Sequence, residues 1–303
     1  MRQIGIFLLA LTMICFISTN AKGEPITDPS ELSPNPTIID FEAISNFANP
    51  LIIGDVTFTS VTASLSLLNV DTPNWPVAGE EVAGLALFPG GEPDSAILIS
   101  FANPVSEFLL GWGDPNFSGN FLRAYDANGQ LLEEIAVPTG DSGGVFATWV
   151  GFKRSTADIA TVLVQPDQTS PSGDDYVIDN IHYNVPTTID IDIKPGIDLN
   201  TINLGSKGTV PVAILTTADF DASTVDPTTV TFADASPIKR KMVDKVDMVD
   251  VDYDGDVDML LSFNTQDLNL DIYSTEATLT GETNVGEQIE GTDSVSIVRK
   301  GKK

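Results

Sequence analysis

Nowhere in this 303-residue chain do apolar residues recur at the three-to-four spacing of a convincing helix. They come instead in short runs: "TIIDFE", "VTFTSVTASLSLL", "SAILISF", "SEFLLGW", "FLRAYD", "LLEEIAV", "FATWVGF", "IATVLVQ" and "YVIDNIHY", parted by Gly, Pro, Asn and Asp. Successive side chains of a strand point to opposite faces, so alternation at this spacing predicts antiparallel strands of a sandwich or barrel. Between Asp126 and Gln130 the stretch "DANGQ" sets Asn-Gly between two runs, a hairpin signal because both residues tolerate positive φ. After "NVP", near Thr187, a second β-rich segment begins, with "TVPVAILTT", "TVTFAD", "VDMVDV", "DMLLSF", "EATLTGET" and "SVSIVRK". All three tryptophans, Trp75, Trp112 and Trp149, precede this boundary, and the densest aspartate run follows it. The pattern predicts two all-β domains, over residues 37–186 and 187–299.

The chain opens with one arginine, the apolar run "IGIFLLALTMICFIS" and the small-residue ending Thr19-Asn20-Ala21. That order marks residues 1–21 as a secretory signal peptide, since the apolar core is shorter than the roughly 20 residues of a membrane span. Cys15 is the only cysteine, and Met13 and Ile14 before it are bulkier than a lipoprotein site takes. The mature chain then has no disulfide, and its stability rests on core burial, metal ions or partners. Residues 22–36, rich in Pro, Ser and acids, read as a linker or disordered arm. The formal charge is −28, or −29 once Arg2 leaves with the signal, which argues against nucleic acid or anionic lipid as partner. No later apolar run reaches membrane length, so no transmembrane anchor is expected and the protein is expected to be secreted, extracellular or periplasmic. Residues 300–303 close the chain as part of a basic tail, "RKGKK".

The run "VDVDYDGDVDM" places Asp250, Asp252, Asp254, Asp256 and Asp258 within nine residues. The first three occupy places one, three and five of D-x-[DN]-x-[DN]-G, with Gly255 at six to allow the sharp turn. Asp256 offers a backbone carbonyl from place seven, and Asp258 closes the pattern from place nine. Calcium, a hard cation with six to eight oxygen ligands, suits such a set. Place twelve is Leu261, where a helix-loop-helix site needs a bidentate glutamate, and both flanks alternate like strands. The expectation is a calcium loop between two strands with affinity of roughly 10⁻⁵ to 10⁻³ M and a structural role. The bland alternative is a strand with an acidic outer face, which cross-strand repulsion and the poor strand propensity of aspartate oppose.

Other chemistry is poorly represented. His182 is the only histidine, in the strand-like "IDNIHY", which suits a surface strand residue better than a general base. One histidine and no mature cysteine leave no zinc cluster or Cys-His nucleophile, and there is no G-x-S-x-G elbow or phosphate-cradling glycine loop. Acids are plentiful, so a carboxylate pair for glycan cleavage is an open alternative, though nothing singles out two of them. Trp112 and Trp149 sit on apolar runs and are expected in the core. Trp75, in "DTPNWPVAG", is placed either to stack on a sugar ring or to pack beneath its loop.

From "IDIDIKPGIDLNTINLGSKGTVPVAILTTADFDASTVDPTTVTF" through "DVDYDGDVDMLLSFNT" to "ATLTGET" and "IEGTDSVSIV", residues 189–298 resemble an accessory β-module of secreted bacterial and archaeal proteins. The resemblance implies a calcium loop and no assigned reaction. Residues 37–183 more loosely resemble jelly-roll modules of bacterial exported proteins, through "YDANG", a "VGF" strand and a closing "IDNI". Many of those bind carbohydrate, and some hold calcium between an early acidic strand and the last strand; the matching positions here are Glu42 of "IDFE" and Asp179 of "IDNI". Together these point to a secreted, non-catalytic, calcium-stabilised binding protein. It would pair a jelly-roll-like β-sandwich with a β-sandwich-like module, and its partner would be an extracellular polysaccharide or cell-surface glycan. The rivals are a carboxylate-dependent polysaccharide-acting enzyme and a self-assembling matrix or surface-layer component.

Overall fold

A computed structural model describes residues 23–44, 48–61, 64–70, 81–83, 85–90, 95–115, 118–139, 147–167, 176–197, 199–240, 243–244 and 246–298. The expected signal peptide, Trp75 and the end of the basic tail lie outside the described residues. Within them the chain is all-β: strands, turns and two single-turn 3-10 helices, Pro29–Glu31 and Ala222–Thr224.

Two antiparallel sheets form the first half. In the larger, strands run side by side in the order Glu24–Ile26, Ala147–Lys153, Glu107–Gly113, Val177–Asn184, Leu85–Gly90 and Ser64–Asn69, and Thr37–Ile39 also pairs with Val177–Asn184. The other has the order Leu131–Ala136, Phe121–Tyr125, Ile159–Gln165, Ile97–Val105, Val56–Ser60 and Leu51–Ile53. Alternate residues of both meet in one cluster that includes Phe58, Ile97, Ile99, Phe108, Trp112, Val162 and Ile178, all buried. Burying each such side chain stabilises by roughly 1.5–3 kcal/mol, which is how a chain without disulfides holds this fold. "DANGQ" forms its hairpin: Phe121–Tyr125 pairs with Leu131–Ala136, and Asp126 Oδ1 accepts the amides of Asn128 and Gln130 at 2.9 and 2.7 Å.

The second half has two four-stranded sheets and two strand pairs. Ile191–Ile193, Thr209–Ile214, Asp258–Asn264 and Asp247–Val249 form one sheet; Thr187–Thr188, Gln288–Ser294, Glu276–Thr283 and Val225–Phe232 form the other. Their inner faces share a second buried cluster around Ile193, Val212, Ile214, Phe232, Leu261, Phe263 and Leu279. Among the described residues, no strand of the first half pairs with a strand of the second.

Three expectations need correction. The 22–36 stretch is not a loose linker over its described part: Glu24–Ile26 adds a strand to Ala147–Lys153, and Ile26 and Leu32 pack on Leu109 and Trp149. Its two apolar residues find cover in a long-range contact that a local pattern does not reveal. His182 is not at the surface but 8 % exposed, its ring 5.3 Å from that of Trp149. Trp149 is accordingly half-buried on the outer face of its sheet rather than in the core, whereas Trp112 is fully buried as expected.

Candidate cation sites

The aspartate run forms a loop between two paired strands, with Val249 opposite Asp258 and Met248 opposite Met259. Carboxylate oxygens of Asp250, Asp252 and Asp254 lie within 4.8 Å of one another, a group that could hold a metal ion. The loop's own backbone sets this convergence. Asp250 accepts the amides of Tyr253 at 2.7 Å and Gly255 at 3.2 Å, Asp252 accepts that of Asp254 at 3.2 Å, and Asp254 accepts that of Asp256 at 2.9 Å. Those bonds require a reversal of the chain, made by Tyr253 at φ 66° and Gly255 at φ 106°. Loss of surrounding water, followed by the charges of Asp254, Asp258 and Asp250, holds the Asp252 carboxyl above the usual range; the Asp254 amide opposes this.

Asp256 is exposed, while Asp258 is fully buried at the loop's base. Each Asp258 oxygen accepts one amide, from Thr216 and from Val251, both at 2.9 Å. This carboxylate ties the loop to the Thr209–Ile214 strand's exit, and Thr216 Oγ1 adds a bond to the Val257 carbonyl at 2.7 Å. Tyr253 is 90 % exposed, its ring presented to solvent by the turn that carries the acids. No polarity pattern distinguishes that tyrosine in the sequence; only its place before Gly255 hints at it.

Asp179 occupies a different setting. It lies on Val177–Asn184 opposite Gly111, where the pairing shifts before His182. A Cβ at Gly111 would stand 1.7 Å from the Glu81 carbonyl, so the glycine lets residues 81–83 cross directly over the sheet. The Ala83 amide then donates to Asp179 Oδ2 at 3.1 Å, and Asn180 Nδ2 donates to the Glu81 carbonyl at 3.3 Å. Asp179 is 1 % exposed and its Oδ1 has no hydrogen-bond partner among the described residues. Burial, reinforced by the charges of Glu42 and Asp40, pushes its carboxyl up to about 7 against two backbone amides that oppose the rise. Glu42 is itself exposed and accepts the Leu85 amide at 2.6 Å. The structure therefore brings the two sequence-selected carboxylates to neighbouring amides, Asp179 to Ala83 and Glu42 to Leu85, but among the described residues they do not converge with a third acid into a metal-sized group as Asp250, Asp252 and Asp254 do.

No protein-family model and no curated protein matches this chain. Among solved structures it is similar to the K2 cleaved adhesin domain of Lys-gingipain, with TM-score 0.36 and 11% identity over 50% of this chain and 100% of that one. The adhesin domain of Epf from Streptococcus pyogenes gives TM-score 0.25 and 9% identity, covering 90% of this chain and 100% of that one. The catalytic unit of a GH87 alpha-1,3-glucanase from Streptomyces thermodiastaticus gives TM-score 0.25 and 15% identity over 54% of this chain and 30% of that one.

Proposed function

We propose that this chain is a secreted, non-catalytic binding protein, stabilised by calcium, that attaches to extracellular polysaccharide or cell-surface glycan. It would pair a binding domain over residues 37–186 with a calcium module over residues 187–299. The observation that carries the calcium reading is the convergence of Asp250, Asp252 and Asp254 within 4.8 Å, each carboxylate oriented by loop amides. Hard carboxylate oxygens in a glycine-turned loop fit calcium, with the Asp256 carbonyl and water completing the shell and Asp258 securing the base. Asp179 with Glu42 is the second site, supported by a buried carboxylate oxygen that lacks any partner among the described residues. A cation there neutralises a charge that burial otherwise penalises.

A binding rather than catalytic role is supported by the setting of the single histidine. His182 lies buried beside Trp149, its Nδ1 without a partner among the described residues, and burial lowers its pKa, a setting that suits a packed side chain better than a general base. The calcium module would share in that binding, since two exposed aromatics that suit sugar faces lie on it: Tyr253 is 90 % and Tyr273 81 % exposed.

The deciding experiment is a thermal melt with and without millimolar calcium, alongside calorimetric titration of the ion. Calcium raises the melting temperature and binds with measurable heat. Replacing Asp250 and Asp254 with Ala abolishes the second half's share of that rise and leaves the melt in chelator unchanged. An equal loss in both media would remove the loop as a metal site. The calcium-loaded protein, applied to a glycan array, then reads the ligand; retention on no glycan, with assembly on calcium addition, would favour a matrix component instead.

A further inference from the structure

Glu107 is fully buried in the first half, yet five donors converge on it. From the N-terminal arm, Ser33 gives its amide at 2.8 Å and its hydroxyl at 2.7 Å. The first sheet supplies Asn184 Nδ2 at 2.6 Å and Lys153 Nζ at 2.8 Å. From the second half comes Gln288 Nε2 at 3.1 Å, whose side-chain oxygen accepts the Ser106 hydroxyl. Three separate pieces of the chain thus end on one carboxylate. Hydrogen bonds to a charged group are stronger than those between neutral partners, and a buried charge left short of donors is strongly destabilising.

The arm is also held elsewhere. At its start the Gly23 amide donates to Glu133, which is paired with the buried Arg154. Along its length Ile26 and Leu32 cover Leu109. At its end Asn184 Nδ2 also donates to the Ser33 carbonyl at 3.2 Å, and Pro34 sits beside Gly286 of the second half, where an added Cβ would stand 3.5 Å from Pro34 Cδ. Beyond Glu107, the halves are further joined by the Ala157 amide donating to Glu290 at 3.4 Å. The facing sheet is polar there: Thr231 and Thr280 share a hydroxyl bond at 3.0 Å, and Glu282, Gln288 and Glu290 line the same cleft beside Ser155. Such a face yields little hydrophobic attachment, so the fixed orientation of the halves depends on specific polar contacts.

We infer that residues 23–36 act as a clasp, which by seating Ser33 on Glu107 locks the second half against the first through Gln288. With the clasp seated, the cation loop and the face beside Asp179 are carried on one rigid body. With it unseated, Glu107 loses the two donors of Ser33 while Lys153 and Asn184 stay opposite it in the sheet, Gln288 is left on an under-satisfied carboxylate, and the two halves swing about the exposed connector at Val185.

Small-angle scattering and limited proteolysis at the Val185–Pro186 connector test this on the chain carrying its arm. Ile26→Asp with Leu32→Asp unseats the arm, while Gln288→Ala breaks the joint from the other side and leaves the arm in place. Both variants are expected to show a larger maximum dimension, roughly tenfold faster connector cleavage and two thermal transitions in place of one. If Gln288→Ala loosens the joint and the arm variant scatters and cleaves like the parent, the arm is a passive edge strand and the clasp is wrong. If neither variant changes dimension or cleavage, the joint itself carries no restraint. Ser33→Ala, which spares the arm's apolar contacts, gives the intermediate cleavage rate expected of a clasp should the charged variant fail to fold; a parental rate there would overturn it.

Discussion

A carboxylate 1 % exposed with one oxygen unpaired is expensive at neutral pH unless something neutralises it. Raising Asp179 from 3.8 to about 7 corresponds to a penalty on the order of 4 kcal/mol for holding it ionised. Asp179→Asn removes that charge but keeps a side chain able to accept the Ala83 amide. In chelator at pH 8 the variant should melt several degrees above the parent. In millimolar calcium the sign should reverse, because the parent gains the ion's binding energy and the variant loses a ligand. Paired melts in the two media measure both effects; a drop of equal size in each would reduce Asp179 to an ordinary hydrogen-bond acceptor.

Among elements, the 250–258 loop shows what short spacing can encode. Its Asx-type bonds span two to seven residues, so the order of Asp and Gly in "DVDYDGDVD" is enough to write them. Gly255, at φ 106°, lies where residues with a Cβ are strained. Gly255→Ala is therefore expected to cost about 1–3 kcal/mol of local stability and to weaken calcium binding by at least tenfold, both read by one calorimetric titration and melt. Unchanged affinity would mean that the carboxylates do not need this turn. The "DANGQ" hairpin was legible for the same local reason. By contrast "EFLLGWG" is a continuous buried run whose cover comes from elsewhere: Leu32 over Leu109, residues 81–83 over Gly111, and Ser33 on Glu107 from 74 positions away. The run announces that both faces are covered, but nothing in its residues says by what. That is why a local pattern reads the arm as a linker and His182 as a surface residue.

At the scale of the whole molecule, a chain with a net charge of −28 repels itself, and its halves meet through a polar face that includes Glu107, Glu282 and Glu290. Acid should ease general repulsion while damaging this one joint. Burial works to raise the Glu107 carboxyl, but Lys153, Asn184 and Ser33 outweigh it and hold the group below its ordinary 4.5. A depressed carboxyl stabilises fully above the unfolded value and loses that contribution as pH falls through the folded one. As pH falls below about 4.5, then, the parent should lose melting temperature more steeply than Glu107→Gln, whose amide cannot titrate. The variant should start lower at pH 6, having traded a charge-assisted acceptor for a neutral one, and the two curves should converge in acid. Melting temperatures from pH 2.5 to 6 in chelator, which keeps the cation sites out of the comparison, give both slopes. Parallel curves would show that Glu107 is not ionised in the folded protein, and the joint would then owe its strength to neutral hydrogen bonds and to the packing of Ile26 and Leu32 on Leu109.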